Sequence, residues 1–201
     1  MAKIPKDLSE RLNRELSDIV KASFAKTILT SFENIKSQMI SEFLNHPVTQ
    51  EIKNGPNSPN TSGTLNGYGN LFSYIGFYDA DDPIEPILNE FQKSTITFSR
   101  LIDGGAVWNI YIPAKEDIWA VSPMPWAPGR SWAKGIETGI SGLGYYLYNE
   151  RKKLQNSRSG SGIQTLNKIG RPRFMNVKYI SEILAKYQKK ISSLDETSIS
   201  T

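Results

Sequence analysis

This chain of 201 residues has no cysteine and a single histidine, His46. The first absence excludes disulfides, thiolate metal sites and cysteine nucleophiles together. The second leaves little room for a zinc site or a histidine general base. No apolar run approaches the roughly 18 residues that cross a bilayer as a helix. The basic start, Met1-Ala2-Lys3-Ile4-Pro5-Lys6, is followed by polar residues and not by an apolar signal segment, so a chain made and kept in a cytoplasm is expected. Phosphate and nucleophile loops are missing as well. After Ser141-Gly142 comes Leu143, so no nucleophile elbow forms. Gly139, Gly142 and Gly144 have the wrong spacing for a dinucleotide loop, and no Gly-Lys-Ser/Thr step exists. These glycines read as turn formers. We therefore expect a protein that is not an enzyme and carries no cofactor.

What is present is one sizeable core's worth of chain, 38% apolar, with a mean hydropathy of −0.40. Charge is unevenly spread. Residues 1–129 carry 11 Lys+Arg against 15 Asp+Glu, a net of −4. Residues 130–191 carry 13 Lys+Arg against only Glu137, Glu150 and Glu182, a net of +10. The C-terminal third thus suits an acidic or phosphate-rich partner, or is a lysine-covered solvated face.

Asp7-Leu8-Ser9-Glu10 reads as a helix start. Apolar residues then recur in steps of three and four from Leu8 and Leu12 through Phe24, Ile28 and Phe32 to Phe43 and Leu44, the period of one helical stripe. A break near Thr27 to Ser31 would give two packed helices. Without it, one helix overhangs its domain. Pro47 takes Asn45-His46 out of the helix, and Val48 to Lys53 adds one more turn. Gly55 to Gly69 is a loop, either a plain surface loop or, from its ending in Tyr68, Leu71 and Phe72, one that packs on something.

Strands are expected at Asn70 to Tyr78, Ser94 to Ile102, Val107 to Ile112 and Ile118 to Ser122, with Asp103-Gly104-Gly105 as a hairpin turn. Ile84 to Gln92 is a short helix entered through Pro83. Asp79, Asp81 and Asp82 with Glu85 suit a hard cation, but the simpler reading is a turn that caps this helix. The proline-broken Pro123 to Gly129 leads into Ser131 to Glu137. A final helix spans about Val177 to Leu194, with Asn176 as its cap. The expected fold is a single α+β domain over residues 1–201. Its N-terminal region, residues 1–54, is helical, and residues 55–139 form the sheet and long loops. Residues 140–176 are a basic glycine- and tyrosine-rich loop, and residues 177–194 a helix packed on the small antiparallel sheet.

Trp126, Trp132, Tyr145, Tyr146 and Tyr148 lie near basic residues, which suits base stacking. Without an RNA- or DNA-binding signature they read first as core plugs and interface anchors.

The order of motifs carries more. Ser131-Trp132-Ala133-Lys134-Gly135-Ile136-Glu137-Thr138-Gly139, then Arg171-Pro172-Arg173-Phe174, then a closing helix, resembles the tail-completion (neck) proteins of tailed bacteriophages. The resemblance covers about the last seventy residues and the order helix, glycine-rich loop, sheet. Ser62-Gly63-Thr64-Leu65 matches the family's Thr-Gly-x-Leu lead-in only loosely, and the chain has extra length near Pro123 to Pro128 and Tyr145 to Gly162. The resemblance implies a sheet-end turn at Trp132 to Gly139 and a segment at Arg171 to Phe174 that seats the last helix. It also implies a structural virion protein forming an oligomeric ring at the head–tail junction, with copies of itself, a connector or adaptor, and the tail tube or tail terminator as neighbours. A tail terminator, or a DNA-binding accessory protein using the basic third, are the alternatives.

Candidate interface residues are Tyr68, Trp126, Arg130, Trp132, Glu137, Tyr145, Tyr146, Arg151, Arg158 and Arg171. Candidate DNA-facing residues are Lys152, Lys153, Arg158 and Lys168, for non-specific contact with DNA in the channel. The basic stretch Arg151 to Arg173 is expected to be mobile in the free subunit and to order against a partner, because Ser157 to Gly162 buries little to offset the entropy of ordering.

Overall fold

Forty residues, Lys6–Asn45, form one continuous helix, α1, in the computed structural model, which describes residues 6–67, 69–102, 105–125, 127–140 and 174–194. The side chains of α1 are described from Ala25 onward. The break considered at Thr27 to Ser31 does not occur. Ile28, Phe32, Ile35, Met39 and Phe43 keep their spacing straight through it, and Phe32, Met39 and Phe43 are buried. That packing outweighs the few tenths of a kcal/mol that each threonine costs a helix.

Helix α2 (Pro47–Lys53) follows, with His46 as its N-cap: Nδ1 accepts the Val48 N–H at 3.3 Å. A 3₁₀ turn at Gly55–Asn57 opens the long loop. The segment expected as the first strand is instead helix α3 (Leu71–Ile75). Asn70 Oδ1 accepts the Ser73 N–H at 2.9 Å, and Gly76 closes the helix at φ 89°, a left-handed conformation that suits glycine. Leu71, Phe72 and Ile75 are all buried. Helix α4 (Glu85–Gln92) lies where expected. The Asp79 to Pro83 turn caps it, Asp82 Oδ1 accepting the Ile84 and Glu85 N–H groups at 3.1 Å.

Strands β1 (Thr95–Ile102) and β2 (Gly105–Tyr111) pair antiparallel, with Ile96 opposite Ile110, Phe98 opposite Trp108 and a bulge between Phe98 and Arg100. The turn residues Asp103 and Gly104 lie outside the described residues. The expected strand at Ile118 to Ser122 is also a correction: Lys115–Ala120 is helix α5, started by Asp117 Oδ2 accepting the Ala114 N–H at 2.8 Å. A second small pair, β3 (Pro123–Met124) and β4 (Ala127–Ser131), leads into helix α6 (Trp132–Thr138). The segment expected as a sheet-end turn is therefore helical, because Ser131 Oγ caps it through the Lys134 N–H at 3.0 Å.

The last helix, α7 (Ile180–Ser192), starts after Tyr179 and not at Asn176. It lies along α1, and near its end Ile191 joins Phe32 and Ile96 of β1 in a small satellite core. The fold class is α+β, with long first and last described helices, but among the described residues the sheet is two separate two-stranded pairs. The main core gathers Phe43, Ile52, Ile75, Phe91, Ile118, Trp132, Ile136, Tyr179 and Leu184, so every described helix contributes to it. Among the described residues no helix is long and apolar enough to cross a membrane.

Candidate assembly interface

Four features of this scaffold bear on what the surface offers. The first is the long loop. Glu51, on α2, has no exposed surface. Its carboxylate accepts the Asn60 Nδ2 amide at 2.9 and 3.1 Å, the Ser62 N–H at 2.8 Å and the Leu71 N–H at 2.7 Å. Asn60 Oδ1 in turn accepts the Leu65 and Gly67 N–H groups. A buried carboxyl group is tolerated only when its lone pairs are satisfied, and here the loop and the first residue of α3 satisfy them. The expected packing of Gly55 to Gly69 is therefore met within the subunit.

The second feature is the corner between α6 and α7. Trp132 is 1% exposed and edge-on to Phe77 at 5.9 Å. It also meets Tyr179, whose ring contacts Phe43 and His46 and whose hydroxyl bonds Thr49 Oγ1 at 2.7 Å. Burial pushes the Tyr179 phenol well above its ordinary pKa. Glu137, on α6, accepts the Ser181 N–H at 2.7 Å and the Ser181 hydroxyl. It thereby caps α7, the role expected of Asn176. Phe174 stacks on Tyr74 at 5.7 Å, and Met175 N–H bonds the Thr64 carbonyl, so the end of the Arg171 to Phe174 segment is seated on α3 and the loop.

The third feature is the seam between α1 and α7. Glu42 Oε2 accepts from Lys186 Nζ at 2.6 Å and from the Tyr187 hydroxyl at 2.7 Å. The hydrogen bond from Lys186 is the largest influence holding the Glu42 carboxyl below its ordinary pKa. Burial pushes the Tyr187 phenol up, and its bond to Glu42 adds to this. The charge of Lys186 is thus partly neutralised, and the basic face of α7 is weaker than its sequence charge.

The fourth feature is apolar surface. Phe98 is 52% exposed, Ile110 38% and Tyr111 45%, so one hairpin holds three of the six large apolar residues exposed among the described residues. Lone exposed apolar residues are ordinary, and a concentration on one element is not. Beside it on the chain, α5 and α6 place Lys115 Nζ 5.4 Å and Lys134 Nζ 4.7 Å from the Trp119 ring.

Of the residues singled out from the sequence, Arg130 is exposed on β4, Trp132 is a core plug, and Glu137 spends its oxygens on Ser181. Tyr68, Trp126, Tyr145, Tyr146, Arg151, Lys152, Lys153, Arg158, Lys168 and Arg171 lie outside the described residues, as does the expected mobile stretch up to Arg173. The hairpin's exposed face is hard to see in the sequence because Ile96 and Phe98 alternate like any half-buried strand. The one available signal is the absence of charge beside them. Comparison with known proteins finds no matching family model, no similar curated protein and no similar solved structure.

Proposed function

We propose that this chain is a non-enzymatic structural subunit of a phage virion that assembles into a ring at the head–tail junction, joining the connector to the tail. The observation that carries the reading is the length of α1. Forty residues at 1.5 Å each make a rod of about 60 Å. A compact chain of this size has a radius of gyration near 16 Å, hence a diameter of about 40 Å. A helix longer than its own domain is suited to reach a neighbour, and the exposed hairpin offers a second contact. The resemblance to tail-completion proteins supplies the place of assembly. Its partners are then copies of itself, a connector-side adaptor, and the tail tube or tail terminator, with non-specific contact to DNA in the channel.

The test is mass and location. Purified protein measured by light scattering is expected to form a multimer of defined size, alone or with a neck partner, and purified virions are expected to contain it. Strictly monomeric protein that binds no neck partner and is absent from virions defeats the reading.

A second reading, a DNA-binding accessory protein, is favoured by Lys115 and Lys134 converging on Trp119. Phosphate contacts weaken steeply as salt rises. A tight, sequence-specific site that persists at physiological salt would promote this reading, and weak binding that vanishes with salt fits the ring.

A further inference from the structure

The hairpin β1–β2 is built with open edges. Among the described residues its sheet has only these two strands, and no backbone group of either strand bonds a backbone group outside the pair. Each strand therefore leaves one row of N–H and C=O groups without a strand partner among the described residues. Soluble proteins guard such edges with charge or proline. Here Thr95 to Ser99 and Gly105 to Ile112 contain neither, and Arg100, at the bulge, is the only charge in the two strands.

The apolar face is half covered. Residues directly opposite share a face, so Ile96, Phe98, Trp108 and Ile110 lie on one side. The diagonal Ile96–Trp108 sits on the α1 cluster with Phe32 and Ile28, while the diagonal Phe98–Ile110 is exposed. An isolated two-stranded ribbon is marginal on its own, and this one gains only part of its support from α1.

We propose that this hairpin is the joint between neighbouring copies, the outer edge of β1 in one copy pairing antiparallel with the outer edge of β2 in the next. The proposal rests on the ring reading above. A second copy is the occupant because it supplies a strand of matching length: β1 has eight residues and β2 seven, whereas the other pair has two and five. The two edges are different surfaces, so the contact is heterologous, the kind that closes into a ring. Copies related by rotation about a common axis with their strands along it carry those strands in the same sense. β1 is antiparallel to its own β2 and hence to the next copy's β2. Edge pairing then extends the apolar face across copies and covers Phe98 and Ile110.

A chain without cysteine makes the test clean. Thr97 and Asn109 are exposed and opposite each other within the hairpin, so Thr97→Cys and Asn109→Cys on separate molecules meet only across the joint. Mixed and treated with a short bis-maleimide, they are expected to give several-fold more T97C–N109C heterodimer than T97C homodimer. The F98K/I110K variant is expected to stay monomeric where wild type assembles, with unchanged helical circular dichroism and a melting temperature lowered only modestly by loss of the Phe98–Trp108 ring contact. Wild-type-like assembly by F98K/I110K, or dominance of T97C homodimers, overturns the joint and leaves the ring reading standing. If free wild type is monomeric but present in virions, the cysteine pair is tested in particles, and no heterodimer there overturns the joint alone. Wild type that is monomeric and absent from virions overturns both.

Discussion

Glu137 Oε1 accepts the backbone N–H of Ser181 at 2.7 Å, across 44 residues of chain. A carboxylate on α6 thus caps the first turn of α7, where the helix dipole and the unpaired amides both favour negative charge. Glu137→Ala is expected to cost about 1–2 kcal/mol, a fall of roughly 2–8 °C in melting temperature. Glu137→Gln, which keeps an acceptor, should lose less. A melting temperature unchanged by the alanine variant would refute the cap.

Glu51→Gln should be more damaging. The new amide would present its own N–H groups to donors from Asn60, Ser62 or Leu71. Leaving one or two buried groups unpaired costs about 2–4 kcal/mol. Denaturant titration gives the loss, and limited proteolysis should show new cleavage between Gly55 and Asn70. Loss of stability without new cleavage would mean that Glu51 does not hold the loop.

The single histidine sets a pH response. Burial holds the His46 imidazole below its ordinary pKa of 6.5, against a hydrogen bond to the Lys178 backbone and the Glu182 and Glu42 carboxylates, which pull it up. The folded state therefore binds a proton less readily than the unfolded chain. Its contribution is complete above pH 6.5 and is lost as pH falls below that value toward the folded pKa. Glu42, with a lowered folded pKa, contributes above 4.5 and loses its share only on further acidification. Melting temperature should fall between about pH 7.5 and about pH 5.5 in wild type and much less in His46→Asn, which retains a cap acceptor. Equal slopes in the two proteins would exclude His46 as the source.

Gly135 marks the closest approach in the corner. A Cβ there would lie 2.9 Å from Ile140 Cγ1 and 2.9 Å from Met124 Cε. Gly135→Ala is expected to cost about 1–3 kcal/mol through overpacking. Because Met124 Cε is the end of a flexible side chain, a cycle with Met124→Ala should show a coupling of at least about 0.5 kcal/mol. Strict additivity would place the strain elsewhere.

The long helices are legible because a three-to-four period sustained over many residues leaves few alternatives, as from Ile28 to Phe43 and from Ile180 to Ile191. Helices α3 and α5 are not: five or six residues containing Leu71-Phe72 or Ile118-Trp119 carry no period that separates helix from strand. The deciding signals are polar. Asn70 stands three residues before Ser73, and Gly76 stands at the stop. Glu51 looks like any solvated helix residue, since its partners lie 9 to 20 residues away, in a loop without pattern and at the start of α3. Trp132 is legible as an aromatic that matters, but its burial depends on Phe77 and Tyr179, which only the fold brings to it.

The seam between α1 and α7 also dictates an order of events. Glu42 meets Lys186 and Tyr187 across 144 and 145 residues of chain. At roughly 5–20 residues per second, a ribosome needs on the order of ten seconds or more to synthesise that interval. Through that time the buried face of α1 waits without its closing partner, exposed to whatever else it meets. Completion of the subunit is thus tied to the emergence of α7, and chains cut short before Tyr179 are expected to collect as aggregates and not as assembly-competent subunits.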